Sequence, residues 1–360
     1  MPELSVILKI LGALALAVIV SYAATPHVKN LAHIVGAIDV PKDNRRMHKQ
    51  PIPRLGGLGI YLAFLFAALL FGNIDRQTQG ILLGTVMIVV LGVLDDIMAL
   101  KALPKFLVQI AAAGVAVYHG CTIQFFSNPN VFSQTAYLNL GWLSVPVTII
   151  WIVAITNAVN FIDGLDGLAV GVSAISTASL LVIALLLQEW AICILLAALL
   201  GACLGFIPYN KNPASIFMGD TGATFLGFIL ACLSIQGLFK FYAIVSFAVP
   251  FLVLGIPIFD ICFAFLRRIA KGQNPMVADR GHVHHRLIDM GFNQKQAVAI
   301  CYMLTAILGL AAVVLTTSGE LRALILIGAV LVVGFIGFRL IFKKPHSAEK
   351  RLEEEHHEKD

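Results

Sequence analysis

Long apolar segments follow one another along most of this 360-residue chain, and they limit its possible folds more than any other feature. Hydrophobic residues make up 59% of the sequence and charged residues only 12%, whereas soluble domains contain about 25% charged residues. A segment of about 20 apolar residues crosses a bilayer as a helix, because a helix satisfies its own backbone hydrogen bonds there. Strands of a membrane barrel would alternate over about ten residues, and the sequence lacks that alternation. The sequence therefore predicts an all-α polytopic membrane protein.

The apolar segments predict eleven transmembrane helices within one domain, residues 1–343. A charged tail, residues 344–360, follows and is predicted to be disordered. The predicted helices cover 4–24, 55–72, 78–95, 103–118, 144–162, 168–187, 189–207, 218–238, 240–264, 297–316 and 321–342.

The placement of Lys and Arg predicts the orientation of these helices. If the loop after the first helix is cytoplasmic, 21 of the 25 Lys and Arg residues lie on the cytoplasmic side, against four in the reverse orientation. Positive residues concentrate on the cytoplasmic side of membrane proteins. We therefore expect the N-terminus outside and the C-terminus inside. The longest outer loop, Gly120 to Leu143, is predicted to form a short β-ribbon or an ordered loop.

Polar residues gather at the predicted cytoplasmic ends of the helices. Any one aspartate there is explained as a helix cap or a solvated charge. Five at one membrane face, each beside glycine, asparagine or another aspartate, favour a functional site: Asp95, Asp96, Asp163, Asp166 and Asp220. The solvated-loop interpretation still leads for Asp39, Asp43, Asp279 and Asp289. Asp260 lies in the middle of a predicted helix, so we expect it to face the interior and to find a partner.

The chemistry of these side chains predicts a magnesium site for a phosphorylated substrate. Carboxylate and amide oxygens suit Mg²⁺, which binds through one or two carboxylates together with substrate phosphates. Lys49, Lys105, Arg280 and Arg286 lie in the same loops and offset the negative charge. The three histidines of "HVHHR" (282–286) are alternatively a transition-metal site. We prefer them as donors to phosphate or sugar oxygens, because they lack Cys partners and an HExxH arrangement.

Five motifs together resemble the polyprenyl-phosphate N-acetylhexosamine-1-phosphate transferases of glycosyltransferase family 4. They occur in that family's order: "PRLGG" (53–57), "DD" (95–96), "NAVNFIDGLDGLA" (157–169), "FMGDTGA" (217–223) and "HVHHR" (282–286). The HxHHR form is similar to the WecA and TagO branch, which uses UDP-N-acetylglucosamine (UDP-GlcNAc), and MraY is the more distant relative. The resemblance implies transfer of GlcNAc-1-phosphate to undecaprenyl phosphate, with release of UMP, at the cytoplasmic face of the bacterial plasma membrane.

The resemblance also implies roles for individual residues. It makes Asp95 or Asp96 the base or nucleophile, with Asp163 in the catalytic polar network. The metal would be Mg²⁺, for which Mn²⁺ can substitute, on Asp220 and Asn160. Lys49 and Lys105 would bind phosphate. Nucleotide-sugar contacts would come from Asp166, Asn210, Phe217, His282, His284, His285 and Arg286.

Alternatives remain open at this level. The donor could be another UDP-N-acetylhexosamine or UDP-MurNAc-pentapeptide, and the surface polymer that the product feeds is undetermined. An ion-coupled transporter is a different class of function, but its carboxylates belong near the bilayer midplane on broken helices. A homodimer is common in the family, and no nucleic-acid partner is expected.

Overall fold

The computed structural model describes residues 4–41, 50–127, 137–238, 245–270, 282–317 and 328. These residues form helices, with two short antiparallel ribbons between them. The ribbons pair β1 (Ile38–Asp39) with β2 (Ile52–Pro53), and β3 (Phe125–Ser127) with β4 (Tyr137–Asn139). The second ribbon confirms the ribbon predicted between Gly120 and Leu143. The helices are α1 (Leu4–Val35), α2 (Gly57–Phe71), α3 (Arg76–Met98), α4 (Ala102–Tyr118), α5 (Ser144–Phe161), α6 (Leu168–Leu186), α7 (Trp190–Asn210), α8 (Gly219–Leu238), α9 (Val245–Val253), α10 (Gly255–Ala270), α11 (Val283–Asp289) and α12 (Gln294–Thr317).

Seven of the described helices are long and apolar enough to cross a membrane: α1, α3, α5, α6, α7, α8 and α12. Two more apolar helices, α2 and α4, are shorter. The prediction of an all-α polytopic membrane protein is therefore confirmed. The predicted last helix, 321–342, and the charged tail, 344–360, lie outside the described residues except for residue 328. The count of eleven spans stays a prediction.

Several predicted boundaries were wrong. α1 continues to Val35, eleven residues past its predicted end at residue 24. The predicted helix 240–264 is two helices, α9 and α10, that meet at Leu254. Pro257 lies in the first turn of α10, where a missing backbone N–H removes no intrahelical hydrogen bond, so the proline favours a new helix start. The short helix α11 was not predicted.

Helix α8 occupies the centre of the bundle and packs against α2, α3, α5 and α6. Glycines allow its first turn to come very close to two neighbouring helices. A Cβ on Gly57 of α2 would lie 2.0 Å from the backbone nitrogen of Gly222, and a Cβ on Gly92 of α3 would lie 2.4 Å from the Cα of Thr221. The N-terminus of α8 is therefore fixed between α2 and α3, and this contact positions the site described next.

Candidate active site

A cleft of about 630 Å³ opens where the β1–β2 ribbon meets the ends of α3, α5, α7, α8 and α12. Its described lining combines carboxylates, amides, an arginine, a histidine and an aromatic ring. Eight of the predicted site residues line it: Asp96, Asn160, Asp163, Asp166, Asn210, Phe217, Asp220 and His285. Distant parts of the sequence therefore converge here, as the clustering of polar residues at one membrane face predicted.

Asp96 holds the N-terminus of α8. Its Oδ1 accepts a hydrogen bond from the Asp220 backbone nitrogen (3.0 Å), and its Oδ2 accepts bonds from the Thr221 backbone nitrogen (3.0 Å) and hydroxyl (2.6 Å). Gly219 makes this contact possible, because its φ is +70° and a Cβ there would lie 2.5 Å from the Asp96 carboxylate. A negative charge at a helix N-terminus is stabilised by the exposed N–H groups. Asp96 therefore fixes the backbone that carries Asp220.

Asp95 lies beside Asp96 but has a different environment. Lys105 Nζ is 2.7 Å from Asp95 Oδ2 and 2.9 Å from Asp220 Oδ2, so one ammonium group joins the two carboxylates. Asp95 Oδ1 accepts a further bond from the Leu100 backbone nitrogen at 2.7 Å. These contacts place Lys105 beside the predicted metal ligand Asp220, at the edge of the cleft.

Arg54 was assigned no role from the sequence, although it belongs to the "PRLGG" motif. Its Nη2 donates to the backbone oxygens of Asp95 (3.2 Å) and Asp96 (3.1 Å), and its Nε lies 3.7 Å from Asp96 Oδ1. The guanidinium also lines the cleft. Arg54 therefore brings a positive charge next to the carboxylates, and the motif was the only sequence signal for it.

Asp163 follows the end of α5 and faces the cleft. Burial, together with the negative charges of Asp220, Asp96 and Asp166, raises its pKa to about 8. No described residue donates a hydrogen bond to its carboxylate. Asp163 therefore differs from Asp95 and Asp96, whose carboxylate oxygens accept hydrogen bonds from the protein.

The donor set of the cleft fits a magnesium ion. Among the described residues, no three His, Cys, Asp or Glu side chains converge as metal ligands. Mg²⁺ does not need such a set, since it keeps water molecules and binds one or two carboxylates plus substrate phosphates. Asp220, Asn160 and Asp163 supply hard oxygens in one cleft. Burial and the negative charges of the neighbouring acids raise the pKa of Asp163, and a cation in the cleft would oppose the contribution of those charges.

Asp166 and Asn212 form another wall of the cleft. Asp166 Oδ2 accepts bonds from the Asn212 side chain (2.9 Å) and the Ala214 backbone nitrogen (3.0 Å). Asn212 also donates to the Gln294 side chain at 2.8 Å, which ties this wall to the start of α12. The sequence assigned no role to Asn212 or Gln294, because neither belongs to a recognisable motif.

Asn210 and Phe217 lie on either side of this loop. Asn210 is buried, accepts a bond from the Gly167 backbone nitrogen (3.1 Å) and donates to the Ile216 backbone oxygen (3.0 Å). Its amide therefore holds two loops together, and its predicted contact with the nucleotide sugar stays a prediction. Phe217 lines the cleft directly before the turn that starts α8.

The histidine motif occupies α11 and the residue before it. His285 lines the cleft, whereas His282 and His284 pack behind its wall. Burial lowers the pKa of His284 to about 3, so its ring is neutral, and its Nε2 faces Gly164, where a Cβ would lie 2.3 Å away. Arg286 stacks on the Phe263 ring with its Cζ 5.0 Å from the ring centre.

Four other predictions have different outcomes. Asp260 faces the interior and bonds to His282, which confirms that it has a partner. Asn157 bonds to Gln109 and to a backbone oxygen of its own helix, so it has a structural environment. Asp39, predicted as a solvated loop residue, lines the cleft instead. Lys49 lies outside the described residues.

Comparison with known proteins agrees with this geometry. The sequence profile of glycosyl transferase family 4 matches residues 78–238, from the first turn of α3 to the end of α8. A Bacillus subtilis protein named probable undecaprenyl-phosphate N-acetylglucosaminyl 1-phosphate transferase is 40% identical, over 86% of this chain and 86% of that protein. The chain belongs to glycosyl transferase family 4.

Two further relatives show which branches of glycosyl transferase family 4 are similar to this member. A Mycolicibacterium smegmatis decaprenyl-phosphate N-acetylglucosaminephosphotransferase is 32% identical over 93% of this chain and 89% of its own length. A phospho-N-acetylmuramoyl-pentapeptide-transferase from Clostridium beijerinckii is 29% identical over 74% of this chain and 83% of its own length. This family member is thus more similar to the N-acetylglucosamine enzymes, as the HxHHR motif predicted.

Proposed function

We propose that this family member transfers GlcNAc-1-phosphate from UDP-GlcNAc to undecaprenyl phosphate. The products are undecaprenyl-pyrophosphoryl-GlcNAc and UMP, and the reaction starts the synthesis of a cell-surface polysaccharide such as teichoic acid or O-antigen. The observation that carries the proposal is the cleft itself. It brings Asp163 and Asp220 together with the basic Arg54, beside Lys105, at the ends of membrane helices. A lipid phosphate in the bilayer and a water-soluble nucleotide sugar can meet at such a place.

The relatives support the choice of donor and acceptor. The 40% identical relative is named for undecaprenyl phosphate and N-acetylglucosamine, and the muramoyl-pentapeptide relative is more distant. Location of the carboxylates at helix ends, together with family membership, favours a transferase over an ion-coupled transporter.

We propose Mg²⁺ as the cofactor, held by Asp220 and Asn160 together with substrate phosphates. When bound, the ion would neutralise negative charge on the pyrophosphate. The chain itself supplies Lys105 and Arg54, whose positive charges stabilise the phosphate oxygens during transfer. Phe217 would stack on uracil, and Asp166 would accept a hydrogen bond from its edge.

The favoured mechanism is direct attack by an oxygen of the lipid phosphate on the β-phosphorus of UDP-GlcNAc. The new phosphorus–oxygen bond forms as the bond to the UMP oxygen breaks, and UMP leaves with that electron pair. A phosphate monoester has its second pKa near ~6, so it is largely dianionic at pH 7 and needs little activation. A bound cation would favour the ionised form of Asp163, which would then take any remaining proton.

The contacts of the aspartate pair support this one-step mechanism. Asp95 is joined to Lys105, and Asp96 accepts three hydrogen bonds from the start of α8. Because a nucleophilic carboxylate would have to give up such contacts, we assign these two residues to positioning. A trapped glycosyl-phospho-enzyme or ping-pong kinetics would count against direct attack.

For the whole chain we propose eleven membrane spans, with the N-terminus outside and the C-terminus in the cytoplasm. The catalytic domain would be residues 1–343, with 344–360 as a cytoplasmic tail. The uneven distribution of Lys and Arg supports this topology, in which the cleft would lie at the cytoplasmic face of the bacterial plasma membrane.

The test uses purified protein with undecaprenyl phosphate and Mg²⁺. We expect UMP release with UDP-GlcNAc and loss of release when EDTA is added. Activity only with UDP-MurNAc-pentapeptide would contradict the proposed donor. Activity that EDTA leaves unchanged would contradict the proposed cofactor.

A further inference from the structure

Asp260 is a buried acid that the proposed mechanism does not use. It lies in α10 and is only 1% exposed. Its Oδ1 accepts a hydrogen bond from the Val283 backbone nitrogen at 2.7 Å, and its Oδ2 lies 2.7 Å from His282 Nδ1. Both carboxylate oxygens therefore engage the segment where α11 begins.

One of these contacts is a helix cap supplied from outside the helix. His282 is the residue before α11, and its own side chain makes no capping hydrogen bond. Instead, Asp260 accepts a hydrogen bond from a backbone N–H of the first turn. The N-terminus of a helix is also a favourable place for a negative charge. This contact alone would explain an acid at residue 260, but an amide oxygen would cap the helix equally well.

The second contact distinguishes a carboxylate from an amide, because the two groups offer different hydrogen-bonding atoms to His282 Nδ1. An ionised carboxylate only accepts hydrogen bonds, so His282 Nδ1 must carry the proton. Its Nε2 is then an acceptor when the ring is neutral, and a second donor when the ring is protonated. An asparagine at residue 260 could donate to Nδ1 and would favour the opposite tautomer, with the proton on Nε2.

His282 contacts the residues that pack against the wall of the cleft. Its ring stacks on Phe161, with ring centres 5.7 Å apart, and on His284 at 5.8 Å with an interplanar angle of 7°. His284 in turn packs against Gly164, which lines the cleft beside Asp163. His285, the next residue of α11, faces the cleft itself.

We propose that Asp260 is a positioning residue that fixes the tautomer and orientation of His282, and through it the placement of α11 against the cleft. The inference rests on the proposed function only for its kinetic measurement. Partners that orient metal-ligating histidines contribute about 10- to 100-fold to activity, and we expect an effect of the same order here.

The kinetic test is a double-mutant cycle with Asp260→Asn and His282→Gln. Asp260→Asn keeps the shape of the side chain and the helix cap, so a purely structural role predicts activity within twofold of wild type. We expect kcat/KM to fall by about 10- to 100-fold. The Asp260→Asn/His282→Gln double variant should be no worse than the poorer single variant, because both changes break one contact. Asp289 is an exposed acid at the end of α11, so Asp289→Asn is the matched control and should stay within twofold of wild type.

The second measurement needs no substrate. Histidine ¹⁵N NMR of the purified protein, with His282 assigned from the spectrum of His282→Gln, reports which ring nitrogen carries the proton. We expect the proton on Nδ1 in the wild type and on Nε2 in Asp260→Asn. Wild-type kinetics for Asp260→Asn, additive losses in the cycle, or an unchanged tautomer would each overturn the inference. If wild type releases no UMP, the proposed function fails, and the NMR result still decides the role of Asp260.

Discussion

The ionisation of Asp163 leads to a pH dependence of stability that Asp163→Asn should remove. Burial and three neighbouring acids raise the pKa of this carboxyl from 3.8 to about 8. Between these two values the native protein keeps a proton that the unfolded chain has already released. Stability must therefore fall as the pH rises through this range, and the loss is complete above the folded pKa.

The size of the effect follows from the pKa alone. With a folded pKa of about 8, raising the pH from 6 to 9 removes about 2.5 kcal/mol from the free energy of unfolding. Asparagine does not titrate, so the corresponding change for Asp163→Asn should be smaller by that amount. Burial lowers the pKa of His284 to about 3, so that histidine is neutral throughout this range.

The assay is equilibrium unfolding in mixed detergent micelles at pH 6 and pH 9, without divalent metal. For each protein we take the change in the free energy of unfolding between pH 6 and pH 9. Subtracting the change in Asp163→Asn from that in wild type isolates the contribution of Asp163 from other titrating groups. Mg²⁺ should reduce the difference, because a cation favours the ionised carboxylate. The same change in unfolding free energy between pH 6 and pH 9 for both proteins would refute the argument that Asp163 is a buried acid facing other acids.

Three further predictions concern the cleft. Gly164→Ala places a Cβ 2.3 Å from His284 Nε2 and should lower the free energy of unfolding by about 1–3 kcal/mol in the same assay. Gly114→Ala is the control, because its Cβ meets open space and should leave stability unchanged. Equal stabilities of the two variants would contradict the packing of His284 on Gly164. Phe217→Leu should raise the KM for UDP-GlcNAc about tenfold, because base stacking is lost, and an unchanged KM would remove Phe217 from the nucleotide site. Asp220→Ala and Asp96→Asn should abolish UMP release while thermal unfolding stays cooperative, and full activity of either would refute its assignment.

The sequence predicted the membrane class and most helices, because a bilayer-spanning helix needs a long apolar segment. It failed where boundaries depend on contacts between distant residues. α1 extends to Val35 because it packs along α7 and α2, which the hydropathy of the segment does not show. The break at Leu254 and the short helix α11 likewise depend on tertiary contacts, including the cap from Asp260.

The residues of the cleft were largely predictable, but their separate environments were not. Spacing places Asp95 and Asp96 side by side. Yet Asp95 bonds to Lys105, whereas Asp96 bonds to the first turn of α8, at Asp220, which lies 124 residues further along the chain. Asp39 looked like a solvated residue because nothing in its neighbourhood indicates that β1 borders the cleft. Asn212 was missed for a similar reason, since this loop residue contacts Gln294 at the start of α12, which is distant in the sequence.

The central claim is that the β-phosphorus of UDP-GlcNAc, which carries the GlcNAc, is transferred to the lipid phosphate. The most direct measurement incubates the purified protein and Mg²⁺ with undecaprenyl phosphate and UDP-GlcNAc labelled at its β-phosphorus. We predict that the label appears in the lipid product in equal amount to the UMP released. Release of labelled UDP, or of labelled GlcNAc-1-phosphate in water, would contradict the account, because the bond broken or the acceptor would then be a different one.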